Sequence, residues 1–154
     1  MVEGAQVLVV DASVAIKWYV EEEYREQALN LRRDYYDGKV ALASQPLLFY
    51  EVANALRHHV ALSSSDVVNS INSLLDMQLD LSTPMREVMD AAVNLAFEEG
   101  VTIYDAVYLA LAELLGSKVI TADEKLSEKL GEGRKKIILL IANIIQGPYL
   151  GLFF

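Results

Sequence analysis

Four acidic residues in this chain, Asp11, Glu51, Asp105 and Asp123, stand where carboxylates can converge on a hard cation. Asp11 ends the apolar run Val7-Leu8-Val9-Val10, and Asp123 follows Val119-Ile120-Thr121-Ala122. Ligands of an open α/β sheet bind in the crevice beyond the C-terminal ends of its strands. Glu51 lies inside a nearly continuous apolar helix pattern, and Asp105 in the first turn of another. A carboxylate in such surroundings is either paired with a cation or costly. The set contains no histidine or cysteine, so its donor chemistry suits Mg²⁺ or Mn²⁺. Ser13 follows Asp11 by two positions and Thr121 precedes Asp123 by two, so either hydroxyl can support a carboxylate or a metal-bound water as an outer partner.

Each acid also has a plainer explanation. Asp11 and Asp123 can N-cap the helices that follow them, and Asp105 can complete a capping box with Thr102. Glu51 can sit on the exposed edge of an amphipathic helix, and Ser13 and Thr121 can serve turns and caps. Caps explain the acids one at a time and predict nothing about convergence, whereas a metal site accounts for the set.

The elements that must position these residues follow from apolar periodicity and punctuation. Strands are expected at 7–10, 39–43, 78–81, 118–121 and 137–141, alternating with helices. The helices are expected from Ser13 to Val20, over 22–36 closed by Asp37-Gly38, from Pro46 to about Ala61, and from a Ser63–Asp66 cap to about Met77. Three more run from Pro84 to Glu99 before Gly100, from Tyr104 to Leu115 before Gly116, and over about 124–130. Such alternation indicates an α/β chain with a parallel sheet and helices on both faces. The strands before Asp11 and Asp123 are expected to be near each other at the sheet centre.

Composition bounds the rest. A chain of 154 residues with 53% apolar and 23% charged residues is read as one globular domain, 1–154. The absence of cysteine removes disulfides and thiolate chemistry. Met1-Val2-Glu3-Gly4 lacks the features of a signal peptide, so a cytoplasmic location is expected. The net charge of −9 by itself argues against a nucleic-acid binder. That argument weakens if four acids face one site, because a bound divalent cation cancels part of their charge. Basic residues cluster at Arg32-Arg33, Arg57-His58-His59 and Arg134-Lys135-Lys136, each read as a solvated face. Trp18 and Tyr19 are read as core or interface packing, with base stacking as the alternative.

No residue from Ile137 to Phe154 is charged, but Asn143, Gln146 and Gly147-Pro148 interrupt the run. The expected arrangement is a last strand, a turn and an apolar aromatic tail at about 147–154, packed on this chain or a partner. A membrane tail anchor is the lesser reading.

Glycine-rich phosphate loops and the Gly-x-Ser-x-Gly elbow are absent. A phosphoaspartyl enzyme would carry a second Asp where Ser13 stands.

Three blocks remain: Val9-Val10-Asp11-Ala12-Ser13-Val14, Tyr50-Glu51-Val52-Ala53-Asn54-Ala55-Leu56, and Tyr104-Asp105-Ala106-Val107-Tyr108-Leu109-Ala110 followed by Thr121-Ala122-Asp123. In order and spacing they resemble the PIN-domain ribonucleases, in particular VapC-type toxins of toxin–antitoxin pairs. The resemblance spans about Leu8 to Leu130. It implies a doubly wound α/β/α sandwich with a central parallel sheet and a Mg²⁺- or Mn²⁺-dependent endoribonuclease. It implies acidic site positions at Asp11, Glu51, Asp105 and Asp123 and supporting hydroxyls at Ser13 and Thr121. It also implies an RNA substrate, an antitoxin partner and a homodimer. The expected chemistry is hydrolysis of an RNA phosphodiester that leaves a 5′-phosphate, with Asp11, Asp105 and Asp123 holding one or two ions and Glu51 acting directly or through water. The alternative is a catalytically silent RNA-binding or protein-interaction module of the same fold. A third reading is a structural subunit in which the acids are only caps.

Overall fold

The computed structural model describes residues 5–144. Five strands form one all-parallel sheet: β1 (Gln6–Val10), β2 (Val40–Ser44), β3 (Asp80–Leu81), β4 (Lys118–Thr121) and β5 (Ile138–Leu140). The spatial order is β3-β2-β1-β4-β5. The chain therefore starts at the centre, winds out to one edge through β2 and β3, and returns to β4 on the other side of β1. That reversal creates the crevice between the C-terminal ends of β1 and β4, which pair in register with Val10 opposite Ile120.

Both faces of the sheet are covered, which explains why Val7–Val10 of β1 and Val119-Ile120 of β4 read as consecutive apolar residues rather than alternating ones. Side-chain alternation sends Leu8, Val10, Leu42 and Ile120 into one core. That core is closed by α1 (Ala12–Ala15), α2 (Arg25–Tyr36), α3 (Leu47–Arg57) and α4 (Ser64–Asp76). Val9, Ala43 and Val119 face the opposite core under α5 (Arg86–Glu99) and α6 (Ile103–Leu114). Two short helices, α7 (Glu124–Lys129) and α8 (Glu132–Lys135), precede β5. The α/β/α layering expected from the sequence is the observed one.

Helix ends follow local chemistry. Ser63 and Asp66 form a reciprocal capping box at the start of α4. The Thr102 side chain accepts from the Asp105 N–H at 3.1 Å and starts α6. Gly100 ends α5 in the left-handed region at φ 67°, where a Cβ would be strained. On α3, Leu48, Val52 and Leu56 are fully buried at helical spacing. Truncating Leu56 to Ala would cost about 2–5 kcal/mol through transfer and cavity terms.

Several boundaries differ from expectation. The helix read from Ser13 to Val20 is a single α-turn, Ala12–Ala15, that tightens into a 3₁₀ turn at Ile16–Trp18. There the indole of buried Trp18 donates to Ala28 O at 2.7 Å, which confirms the packing role for Trp18. α2 begins at Arg25, after Tyr24 at φ 65°, rather than at 22. α3 ends at Arg57 because the His58 and His59 amides turn back to Ala55 and Leu56 in i→i−3 bonds. β3 is only Asp80–Leu81, since Gln78 takes a positive φ of 52°. The last strand stops at Leu140 and passes into a 3₁₀ turn, Ile141–Asn143. The apolar tail at 147–154 lies outside the described residues. Among the described residues no helix is long and apolar enough to cross a membrane.

Candidate active site

Asp11 is the first residue past β1, and Thr121 the last of β4. The two strands run side by side, so residues 110 positions apart in sequence meet at the sheet's C-terminal edge. Asp11 is 8% exposed, and three donors meet its carboxylate. Ser13 Oγ donates to Oδ1 at 2.6 Å, the Val14 N–H donates to Oδ1 at 3.3 Å, and Thr121 Oγ1 donates to Oδ2. The hydroxyls also stitch the strand ends together. Ser13 Oγ and Thr121 Oγ1 are 3.1 Å apart, Ser13 Oγ accepts from the Ala122 N–H at 2.8 Å, and Thr121 Oγ1 accepts from the Asp123 N–H at 3.1 Å. Asp123 in turn accepts from the Leu126 N–H at 3.0 Å and caps α7.

The capping explanation for Asp11 and Asp123 is therefore correct in geometry, and for Asp11 it is incomplete in energetics. Three donors to a carboxylate ordinarily favour its charged form. Asp11 is nevertheless pushed up to about 6, chiefly by burial, with Asp123 adding repulsion.

Glu51 sits on the half-buried edge of α3, one position from the Val52 side of the helix that faces the core. Across from it, buried Tyr108 of α6 donates its hydroxyl to Glu51 Oε1 at 2.6 Å. Burial raises the Glu51 carboxyl, the Tyr108 donor opposes that, and Asp105 adds repulsion. Asp105 is raised by burial and then by Asp123. The four acids thus form one electrostatic neighbourhood, in which Asp123 acts on both Asp11 and Asp105, and Asp105 acts on Glu51. Lys129 offers Asp105 partial compensation. Among the described residues none of the four acids makes an ion pair within 4.0 Å.

The donor chemistry fits a hard divalent cation: oxygen ligands only, mutually repelling and partly desolvated, with no Lys or Arg bonded to them. Ligation itself needs adjustment, because among the described residues no three acidic, His or Cys side chains are arranged to hold one ion as they stand. Asp11 is already engaged on both oxygens, so any ion would meet carboxylates released from, or shared with, their present donors.

Tyr108 is the residue that composition and spacing did not single out for the site. It lies within the third acidic block, three positions after Asp105 and hence on the same helical face. Its partner Glu51 is 57 positions away.

Comparison with known proteins agrees with this geometry. Residues 8–130 match the PIN domain family model, a span that contains all four acids. Ribonuclease VapC3 of Pyrobaculum aerophilum is 39% identical over 126 residues, 79% of this chain and 93% of that protein. A toxin–antitoxin complex from Klebsiella pneumoniae superposes with a TM-score of 0.64 at 17% identity, covering 89% of this chain and 99% of that one. VapC20 of Mycobacterium tuberculosis, described as a sarcin-ricin loop cleaving toxin, gives 0.62 at 14% identity, covering 79% and 93%. The two structural likenesses establish the shared sheet and helix layers. The sequence match across most of the chain establishes descent, and on it the chain belongs to the PIN-domain family, as the order of its acidic blocks indicated.

Proposed function

We propose that this chain is a divalent-metal-dependent endoribonuclease, the toxin of a toxin–antitoxin pair, acting through Asp11, Glu51, Asp105 and Asp123. The observation that carries the reading is a set of four carboxylates that act on one another around the strand-end crevice, none of them in an ion pair within 4.0 Å among the described residues. The relative with the highest identity given above is named a ribonuclease, and one of the fold's neighbours is a toxin bound to its antitoxin. On this reading RNA is the substrate, a cognate antitoxin is the partner, residues 1–154 act as a single domain that pairs as a homodimer, and the compartment is the cytoplasm.

Asp11, Asp105 and Asp123 would hold Mg²⁺ or Mn²⁺, with Glu51 completing the set directly or through water. Such an ion supplies an activated water and stabilises charge on a phosphodiester. The chain's own contribution is placement. Ser13 and Thr121 fix the Asp11 carboxylate against the end of β4, so its oxygens keep one orientation when charge enters the crevice. Tyr108 fixes the Glu51 carboxylate and withholds one of its oxygens from solvent. The apolar layers beneath, Val10 and Ile120 among them, exclude water from below and strengthen each electrostatic contact above.

The test is cleavage of single-stranded and structured RNA in Mg²⁺, Mn²⁺ and EDTA by the wild type and Asp11→Asn, with the product ends identified. Metal-dependent cutting that leaves 5′-phosphates and disappears in Asp11→Asn is the expected result. Products with cyclic 2′,3′-phosphates, or equal cutting in EDTA, would sink the mechanism. A second reading, a catalytically silent RNA-binding or protein-interaction module, draws on the lack of any three ligands set to hold one ion among the described residues. It predicts binding without cleavage across metals and RNAs.

A further inference from the structure

Beside the acidic crevice lies an open cavity of about 560 Å³ that none of the four proposed ligands except Asp123 lines. Its size is within the roughly 300–1,000 Å³ range of clefts that seat small molecules. Ser13 and Asp123 form the edge it shares with the crevice. Ile16, Val20 and Leu56 contribute an apolar wall, and His58 and His59 stand on the rim where α3 ends.

The remaining wall holds an unusual charge. Lys17 lies in the 3₁₀ turn between Ile16 and the anchored Trp18, and its side chain is 8% exposed. A buried ammonium requires a partner. Its partner is Glu22, 3.0 Å from Lys17 Nζ, on the segment before α2 and itself 42% exposed. Both line the cavity. A charge set this deep is thus neutralised by a carboxylate that solvent, or a competing anion, can reach. The three early boundary differences in the fold produce this arrangement: the α1 turn tightens at Ile16, α2 starts late and leaves Glu22 in a loop, and α3 stops early and leaves the two histidines at the rim.

We propose that this cavity is the subsite for the nucleotide adjoining the scissile bond, with a backbone phosphate replacing Glu22 on Lys17 Nζ and the base resting on the Ile16–Val20–Leu56 wall. The proposal rests on the endoribonuclease reading for its choice of RNA as the polyanion. Charge favours that choice. In a chain of net charge −9, a strand led past four acids needs a cation at the crevice mouth, and Lys17 with the two imidazoles supplies the donors that line it. The pairing also explains a buried base joined to an exposed acid beside a site: Glu22 keeps Lys17 extended toward the cavity until a phosphate arrives.

The experiment is a fluorescence-anisotropy titration of a labelled, mixed-sequence single-stranded RNA with the full chain in Ca²⁺, repeated at several salt concentrations. Lys17→Gln should weaken binding about tenfold, the worth of one charge-assisted bond, and lower the salt slope by about one. Glu22→Gln should do the opposite and tighten binding, because it removes the anion that competes for Lys17. A Lys17→Gln chain that binds RNA with unchanged affinity and slope overturns the proposal. So does a Glu22→Gln chain with unchanged or weaker affinity, and so does a wild type that binds no RNA. Should Lys17→Gln fail to fold by melting, the sign of the Glu22→Gln effect decides alone. The same RNA in Mg²⁺ separates the two readings. Lys17-dependent binding with no cutting keeps the subsite and removes the nuclease, whereas cutting with both variants binding as wild type keeps the nuclease and removes the subsite.

Discussion

Two groups of acids in this fold have opposite surroundings. At the strand-end crevice, Asp11, Glu51, Asp105 and Asp123 repel one another and are met by hydroxyls and amides, and burial raises Asp11, Glu51 and Asp105. On the far layer, Glu98, Glu99 and Glu113 converge on one guanidinium. Arg134 Nη1 donates to Glu98 at 2.6 Å and to Glu99 at 3.1 Å, and its Nε donates to Glu113 at 2.8 Å. Glu99 is held below its ordinary value, first by the Gly131 N–H and then by Arg134. Three glutamates around an arginine hold α8 to α5 and α6 and need nothing further. Four acids without an arginine leave a charge deficit that a cation would fill. On the proposed function, the difference separates acids that serve stability from acids that would serve chemistry, a distinction that residue type alone does not carry.

The sharpest way to break the comparison is to neutralise one member of each group. Asp11→Asn is expected to lower RNA cleavage by about a thousandfold or more, the scale of removing several kcal/mol of metal-derived stabilisation. Arg134→Gln is expected to leave kcat within error of wild type. Steady-state cleavage of a defined RNA by both variants decides, and a comparable loss in each would mean the two clusters are not functionally distinct. Next in size is the response to metal. Mg²⁺ or Mn²⁺ at about a hundred times its Kd stabilises by about 2.7 kcal/mol, roughly 5–10 °C in Tm for a chain of this length. Calorimetry should show that rise in wild type and in Arg134→Gln, and not in Asp11→Asn or EDTA.

Tyr108→Phe sharpens the contrast within the crevice itself. It deletes the 2.6 Å donor to Glu51 and keeps the ring in place. The loss of one hydrogen bond to a charged group, about 1.5 kcal/mol, corresponds to about tenfold in kcat. A positioning role requires the metal concentration for half-maximal rate to rise as well, while the melting temperature without metal stays near wild type. An unchanged metal requirement would reduce Tyr108 to a packing residue.

These expectations mark what the residues disclosed before folding. The strands before Asp11 and Asp123 were legible because a sheet covered on both faces is built largely of consecutive apolar residues, and each run stopped short of its acid. The helix stops at Gly100 and Gly116 were legible because only a residue without Cβ takes φ of 67° and 62° cheaply. Neither signal carries distance across the fold. The Tyr108–Glu51 bond joins α3 to α6, and the Lys17–Glu22 pair depends on where a helix fails to start, which periodicity places poorly because packing of Trp18 decides it. The Arg134 cluster was read as a solvated basic face. Three glutamates from α5 and α6 that pack beside α8 make it an ion-pair node instead.

The smallest expected effects belong to that node. Arg134→Ala leaves three glutamates unpaired at a site that is still partly wetted, with Arg134 26% and Glu98 58% exposed, so the cost is discounted to about 1 kcal/mol, roughly 2–4 °C in Tm. Its pH dependence fixes the cause. The folded pKa of Glu99 is depressed from its ordinary 4.5, so the folded chain binds fewer protons there than the unfolded one. The stability it contributes is present above pH 4.5 and lost as pH falls through the depressed value. The melting difference between wild type and Arg134→Ala should therefore hold from neutral pH to about 4.5 and narrow below it. A difference that stays constant into that acid range would assign the loss to the packed alkyl stem of Arg134 rather than to its charge, and the far cluster would then resemble the crevice less as an electrostatic counterpart than as an ordinary packing contact.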